Sequence, residues 1–171
     1  MRLWCIAVKS EGNFAPPLRR VGGALPKETV TGANVYLGSF RSKQLFKSVN
    51  NRIVAYGELV NIFSSTEPVL ITLTKNATIT GATWAVDPST DSSVELDVAG
   101  SSITGGRVIA TWMVGTGASQ NIDLRDIFTN DGEQMRRHAD ITNTDTYTFT
   151  ASLMSGTTTD VLFSANWNEA Q

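Results

Sequence analysis

The stretch TYTFTASL at residues 146–153, followed across a Gly-Thr-rich turn by VLFSANWN at 161–168, decides the fold. In the first, Tyr147, Phe149, Ala151 and Leu153 alternate with Thr146, Thr148, Thr150 and Ser152. In the second, Val161, Phe163, Ala165 and Trp167 alternate with Leu162, Ser164, Asn166 and Asn168. A period of two with one apolar face marks a half-buried β-strand. The threonines are expected on the solvated face, because Thr is both β-branched and polar. Only Glu169, Ala170 and Gln171 follow, so this end of the chain is expected to be held in a sheet.

Working back from those strands, the same signal recurs. Ile53–Phe63 is rich in β-formers, and Val69, Ile71 and Leu73 alternate with Leu70, Thr72 and Thr74. Lys75-Asn76 reads as a tight turn, since Asn tolerates positive φ. A strand is expected over Ala77–Val86, a turn over Asp87–Asp91, and another strand at Val94–Val98. Val108–Val114 is apolar on both faces apart from Thr111, which predicts a central strand or one at an interface. Gly115–Asn121 reads as a glycine-rich turn, and Ile122–Phe128 as a short strand or a helical turn. About eight short strands with turns every 8–12 residues predict an all-β chain, a jelly-roll-like antiparallel β-sandwich.

Residues 1–52 read differently. Pro16-Pro17, Gly22-Gly23, Pro26 and Gly32 interrupt any periodicity, leaving short apolar pieces at Leu3–Val8 and Asn34–Phe40, each enough for one strand. The predicted organisation is an extended, irregular N-terminal arm over 1–52 and a sandwich body over 53–171. Charge divides at the same point. Residues 1–52 hold nine basic and two acidic side chains, net +7; residues 53–171 hold five and fourteen, net −9. A basic arm of this kind would dock on an acidic partner or on the acidic body of a neighbouring copy. Its candidate contacts are Arg19, Arg20, Arg41, Lys43, Lys47 and Arg52, with Trp112 on the body as a further partner-binding candidate.

Composition narrows the function classes. Hydrophobic residues make up 41% of the chain, enough for a core, and 15 Ser and 21 Thr suit strand surfaces. A single cysteine, Cys5, allows no intrachain disulfide. Leu3–Val8 is too short for a membrane span, so no membrane partner is expected. Nucleic acid is disfavoured by the acidic total and the absence of a recognition motif. His138 is the only histidine, without a nucleophile motif or the further ligands a zinc site needs. Asp123, Asp126, Asp131 and Glu133 supply oxygens around Asn130-Asp131-Gly132, but their spacing departs from an EF-hand, and a plain turn explains them. No enzymatic activity, cofactor or metal is expected. Trp84, Trp112 and Trp167 read as core or interface, with a sugar-stacking face as the alternative.

The closing segment TYTFTASLMSGTTTDVLFSANWNEAQ resembles the C-terminal hairpin of small β-sandwich proteins in tailed-bacteriophage virions, which often end in a Trp-x-Glu strand after a SLSGTTDV-like turn. Ala151-Ser152-Leu153, Ser155-Gly156-Thr157-Thr158, Asp160-Val161, Ser164-Ala165-Asn166-Trp167 and Glu169-Ala170-Gln171 carry the likeness, and GGRVIATWMVGTGASQNIDLRDIF extends it loosely, over about 105–171 in all. The resemblance implies a virion structural protein of the capsid decoration, head-fibre or knob type. Its partners would be copies of itself, in a homo-oligomer such as a trimer, and the capsid. The alternative is a tail-fibre module binding a glycan receptor.

Overall fold

The computed structural model describes residues 18–84, 91–130, 133–138 and 143–170. Its strands are β1 (Leu18–Ala24), β2 (Glu28–Val30), β3 (Val35–Ser42), β4 (Leu45–Phe46), β5 (Val49–Asn50), β6 (Val54–Ser64), β7 (Val69–Lys75), β8 (Thr78–Thr80), β9 (Val94–Asp97), β10 (Ser102–Thr104), β11 (Arg107–Val114), β12 (Ala118–Asp123), β13 (Thr146–Leu153) and β14 (Thr159–Ala170). A π-helical turn at Asp126–Asn130 follows β12.

Two antiparallel sheets face each other. One has the order β1-β14-β6-β12, with β2 on the same edge of β14 as β1; the other has the order β11-β7-β13-β3-β9. The pairings are nested along the chain. β1 pairs with β14, β3 with β13, β6 with β12 and β7 with β11. An antiparallel ribbon rolled up in this way, with eight strands in two sheets, is a jelly roll.

The closing strands sit in the middle of both sheets, as their alternation requires. Trp167, Phe163 and Phe149 meet Phe40 in the core, with Phe40–Trp167 ring centroids 5.7 Å apart and Phe40–Phe149 5.9 Å apart. The threonine face of β13 departs from expectation: Thr148 and Thr150 are buried, and Thr148 Oγ1 lies 2.7 Å from Ser39 Oγ. The cause is a second layer. The segment around Gly100, with Ile79 of β8, packs on Tyr36 over the outer face of this sheet. Small hydroxyl side chains serve there because they can hydrogen-bond when covered, as Thr148 and Ser39 do.

Residues 18–52 also differ from an extended arm. They carry five strands, and β3 lies inside the second sheet. Pro26, read as a breaker, falls between β1 and β2, where an edge tolerates a missing N–H. Gly22 sits against Asn166, where a Cβ would collide with the amide side chain. The breaks therefore mark an edge rather than an unpaired segment. Three further differences are local. β11 is an edge strand, with Ile109 as a bulge. β12 begins inside the expected glycine turn. Of the strand expected over Ala77–Val86, β8 covers only Thr78–Thr80, with 85 and 86 outside the described residues. The Leu3–Val8 strand and most of the Asp87–Asp91 turn also lie outside them.

Candidate assembly surfaces

Four of the described basic residues in the first 52 positions, Arg19, Arg20, Lys27 and Arg41, meet carboxylates of the acidic remainder of their own chain. Arg19 Nη1 is 3.6 Å from Asp91, Lys27 Nζ 2.7 Å from Asp160 Oδ2, and Arg41 Nε 2.6 Å from Glu95 Oε1. Arg20 Nε lies 2.9 Å from Glu58 Oε2 without hydrogen-bond alignment. The Arg41 guanidinium also stacks 4.0 Å from the Trp84 ring centroid. The charge split along the sequence is thus in part an internal complementarity. Each exposed pair adds at most about 1 kcal/mol.

Lys43, Lys47 and Arg52 fall elsewhere, on and beside the β4–β5 hairpin. Leu45 pairs with Asn50 and Phe46 with Val49, and the two turn residues, Lys47 and Ser48, have φ of 49° and 66°. Positive φ at both central positions is the signature of a type I′ turn, which Asn-Gly makes with least strain. Two non-glycine residues in that region carry a cost of about 1 kcal/mol or more each. The base of the hairpin is rigid. Buried Asn51 donates from Nδ2 to Ser42 Oγ (3.0 Å), Lys43 O (3.1 Å) and Ser93 O (2.9 Å), and its Oδ1 accepts from Ile53 N–H (3.0 Å). The tip is not buried: Leu45 is 53% and Val49 64% exposed, with the Lys47 ammonium 5.2 Å from the Phe46 ring centroid. The sequence reading missed Leu45 and Val49. The signal was two apolar residues on one side of Lys47-Ser48 and one on the other, short for a strand alternation.

Trp112 is half-buried and packs its indole against the core, while its neighbour Met113 is 64% exposed. Tyr147 and Trp167 are fully interior. The described tryptophans therefore form no open stacking face.

Three buried acidic groups fix the frame instead. Glu169, two residues after Trp167, accepts hydrogen bonds from Ser92 Oγ (2.6 Å), Ser93 N–H (2.9 Å) and Trp167 Nε1 (3.0 Å). The Trp-x-Glu pair noted in the sequence is thus a clasp between β14 and the segment leading into β9. Asp97 accepts from Tyr36 Oη (2.5 Å), Thr83 N–H (2.6 Å) and Gly100 N–H (3.1 Å). Burial first, then the bond to Asp97, pushes the Tyr36 phenol well above its ordinary range. Glu133 takes Lys75 (2.6 Å), Arg107 and Tyr147 (3.2 Å), and Lys75 also reaches Asp145 (3.0 Å). Burial opposes ionisation of Glu133 and Asp145. Hydrogen bonds from Lys75 and Arg107 to the first, and from Asn76 and Lys75 to the second, more than offset it, so both sit below the ordinary carboxylate range.

These engagements scatter the oxygens considered for calcium. Glu133 belongs to the lysine network, and Asp123 is held by Arg125, which brings its carboxyl down to about 2. Asp131 lies outside the described residues. His138 is half exposed, with Nε2 3.5 Å from Asp145 Oδ1.

No protein family matches this chain. No curated protein matches it either. Among solved structures, the T=1 particles derived from infectious bursal disease virus align over 97% of this chain and 44% of theirs, at 8% identity and a TM-score of 0.23. The Gx strain of the same virus aligns over 97% and 45%, at 9% identity and a TM-score of 0.21. The chain spans less than half the length of those proteins, and a likeness at this level carries no argument about its role.

Within the sandwich the described residues leave little room. The core cavity beside Phe128, Tyr147 and Trp167 holds about 20 Å³, against several hundred for an ordinary ligand pocket. A shallow groove of about 220 Å³ runs over the outer face of the first sheet, between Leu25, Phe63 and Leu162.

Proposed function

We propose that this chain is a non-enzymatic virion structural protein, of the decoration, head-fibre or knob type, which works by attaching to a particle and to copies of itself. The observation that carries the reading is the β4–β5 hairpin. A buried asparagine fixes its base, its turn is strained, and it exposes Leu45 and Val49 beside Lys47, with Lys43 and Arg52 flanking the base. Exposed apolar groups on a projection with a cation at its turn fit an acidic protein surface with an apolar centre. The jelly-roll topology and the likeness of the closing strands to tailed-phage virion proteins support the same class. A filled core leaves surface contact as the mode of action. A glycan-binding role draws no support from the geometry, since Trp112 packs inward and Tyr147 is buried.

The basic region acts here through the hairpin rather than through a detachable arm. Removing residues 1–50 would take β1 and β3 out of the two sheets. The proper test is Leu45→Asp with Val49→Asp in the full chain. Its expected result is an unchanged melting temperature and loss from purified particles. Normal incorporation of a folded double variant would refute hairpin docking, and absence of the wild-type chain from purified particles would refute the virion reading.

A further inference from the structure

The four sheet edges of the sandwich are not alike. The β1–β2 edge is interrupted at Pro26 and carries Arg19, Arg20 and Lys27. β9 is four residues long and contains Glu95 and Asp97. β12 turns Ser119, Asn121 and Asp123 outward, all polar and all exposed. Short length, charge, proline and β-bulges are the usual means of keeping an edge from pairing with another chain. β11 has the least of them, a bulge at Ile109 and one charge at its first position. It runs eight residues, its only charge is Arg107 at the first position, and it exposes Val108 (58%) and Met113 (64%). Among the described residues, β7 is the only strand that pairs with it.

The bulge at Ile109 leaves an unbroken stretch, Ala110–Val114, in regular register with Leu73–Val69 of β7. Along it Thr111 and Met113 are exposed on the outer face, while Ala110, Trp112 and Val114 turn toward the core. We propose that β11 pairs antiparallel with β11 of a second copy, about a two-fold axis at Trp112. Residues opposite one another in an antiparallel pair point to the same face. An axis at Trp112 satisfies this throughout. Met113 stands opposite Thr111 of the partner subunit, and Ala110 opposite Val114 of the partner subunit. The contact is isologous, so it closes as a dimer and does not propagate into a fibre. It joins the two five-stranded sheets edge to edge and covers the exposed methionines. The inference names the copy-to-copy contact of the reading above, but it stands on the edge geometry and does not require a virus particle.

The test is the mass of the full chain in solution by sedimentation equilibrium, with two variants. The wild type is expected at twice 18.5 kDa. Met113→Lys is expected at the monomer mass with an unchanged melting temperature, because the added charge sits on an exposed edge position. Thr111→Cys with Met113→Cys, in a Cys5→Ser background, is expected to form a disulfide-linked dimer on oxidation. A monomeric wild type at high micromolar concentration, a dimeric Met113→Lys, or a failure of the cysteine pair to cross-link would overturn the register or the pairing. A dimer absent from purified particles would leave this inference standing and remove the virion reading. A monomer found in particles would do the reverse.

Discussion

The two long sides of the sandwich show opposite treatments of the same problem. On one side, the sheets end in β1–β2 and β9, and the gap between them is fastened. Glu169 of β14 binds Ser92 and Ser93 just before β9, Arg19 of β1 meets Asp91, and Asn51 ties the hairpin base to Ser93. On the other side, the sheets end in β12 and β11, joined by the turn at 115–117, and among the described residues β11 leaves an apolar edge in the open. An edge costs little when its polar groups meet water. It becomes adhesive when it is long, uncharged and apolar. The contrast teaches where this molecule spends buried polar groups on permanence and where it leaves surface available.

The strongest way to break the contrast is at the clasp. Glu169→Ala strands the Ser92 hydroxyl, the Ser93 N–H and the Trp167 indole N–H in a buried site. The expected cost is about 3–5 kcal/mol, read as a loss of about 10 °C in Tm by calorimetry. A loss below 1 kcal/mol would mean that the clasp is not structural. Asn51→Ala should come next, at about 2–3 kcal/mol in chemical denaturation, since it removes three donated bonds and one accepted bond around the hairpin base.

Acid should act on the lysine network at the end of β7. Glu133 and Asp145 have folded values below their unfolded ones, near 4. Their contribution is therefore complete above the unfolded value and disappears as pH falls through the folded value. Lys75 has its value raised, burial lowering it and Glu133 and Asp145 raising it further, so its contribution holds below the unfolded lysine value and fades at strongly alkaline pH. Stability measured from pH 6 down to pH 2 should fall, and the fall should be shallower in Lys75→Met than in the wild type. Identical slopes would show that the network is not linked to folding. The smallest stability effect is expected on the open side. Met113→Lys should stay within about 0.5 kcal/mol of the wild type, although it changes association completely.

Much of the frame was legible from alternation alone. The closing strands and β7 carried a clean period of two, because each has one face on the core. β13 hid its second layer, since Thr148 and Thr150 give the same pattern whether water or the segment around Gly100 and Ile79 covers that face of the sheet. β1 and β2 escaped because Gly22-Gly23 and Pro26 look like disorder when the edge that tolerates them is not yet known. The surroundings of the basic residues were only half legible. Of the basic candidates, Lys47 lies in the hairpin turn and Lys43 and Arg52 beside the hairpin, while Arg19, Arg20 and Arg41 meet Asp91, Glu58 and Glu95. Charge can be counted in a sequence, but the carboxylates that meet it are 38 to 72 positions away. For β11, apolarity on both faces correctly flagged an unusual strand. It could not separate a central position from an edge, because that depends on which strands lie alongside.

Amide hydrogen exchange along β11, followed as the concentration of the full chain is raised, tests the contrast most directly. Protection at residues 110–114 should increase with concentration, while β1 and β9 stay unchanged. Exchange in β11 that does not depend on concentration, or protection that rises equally on the β1–β9 side, would contradict it.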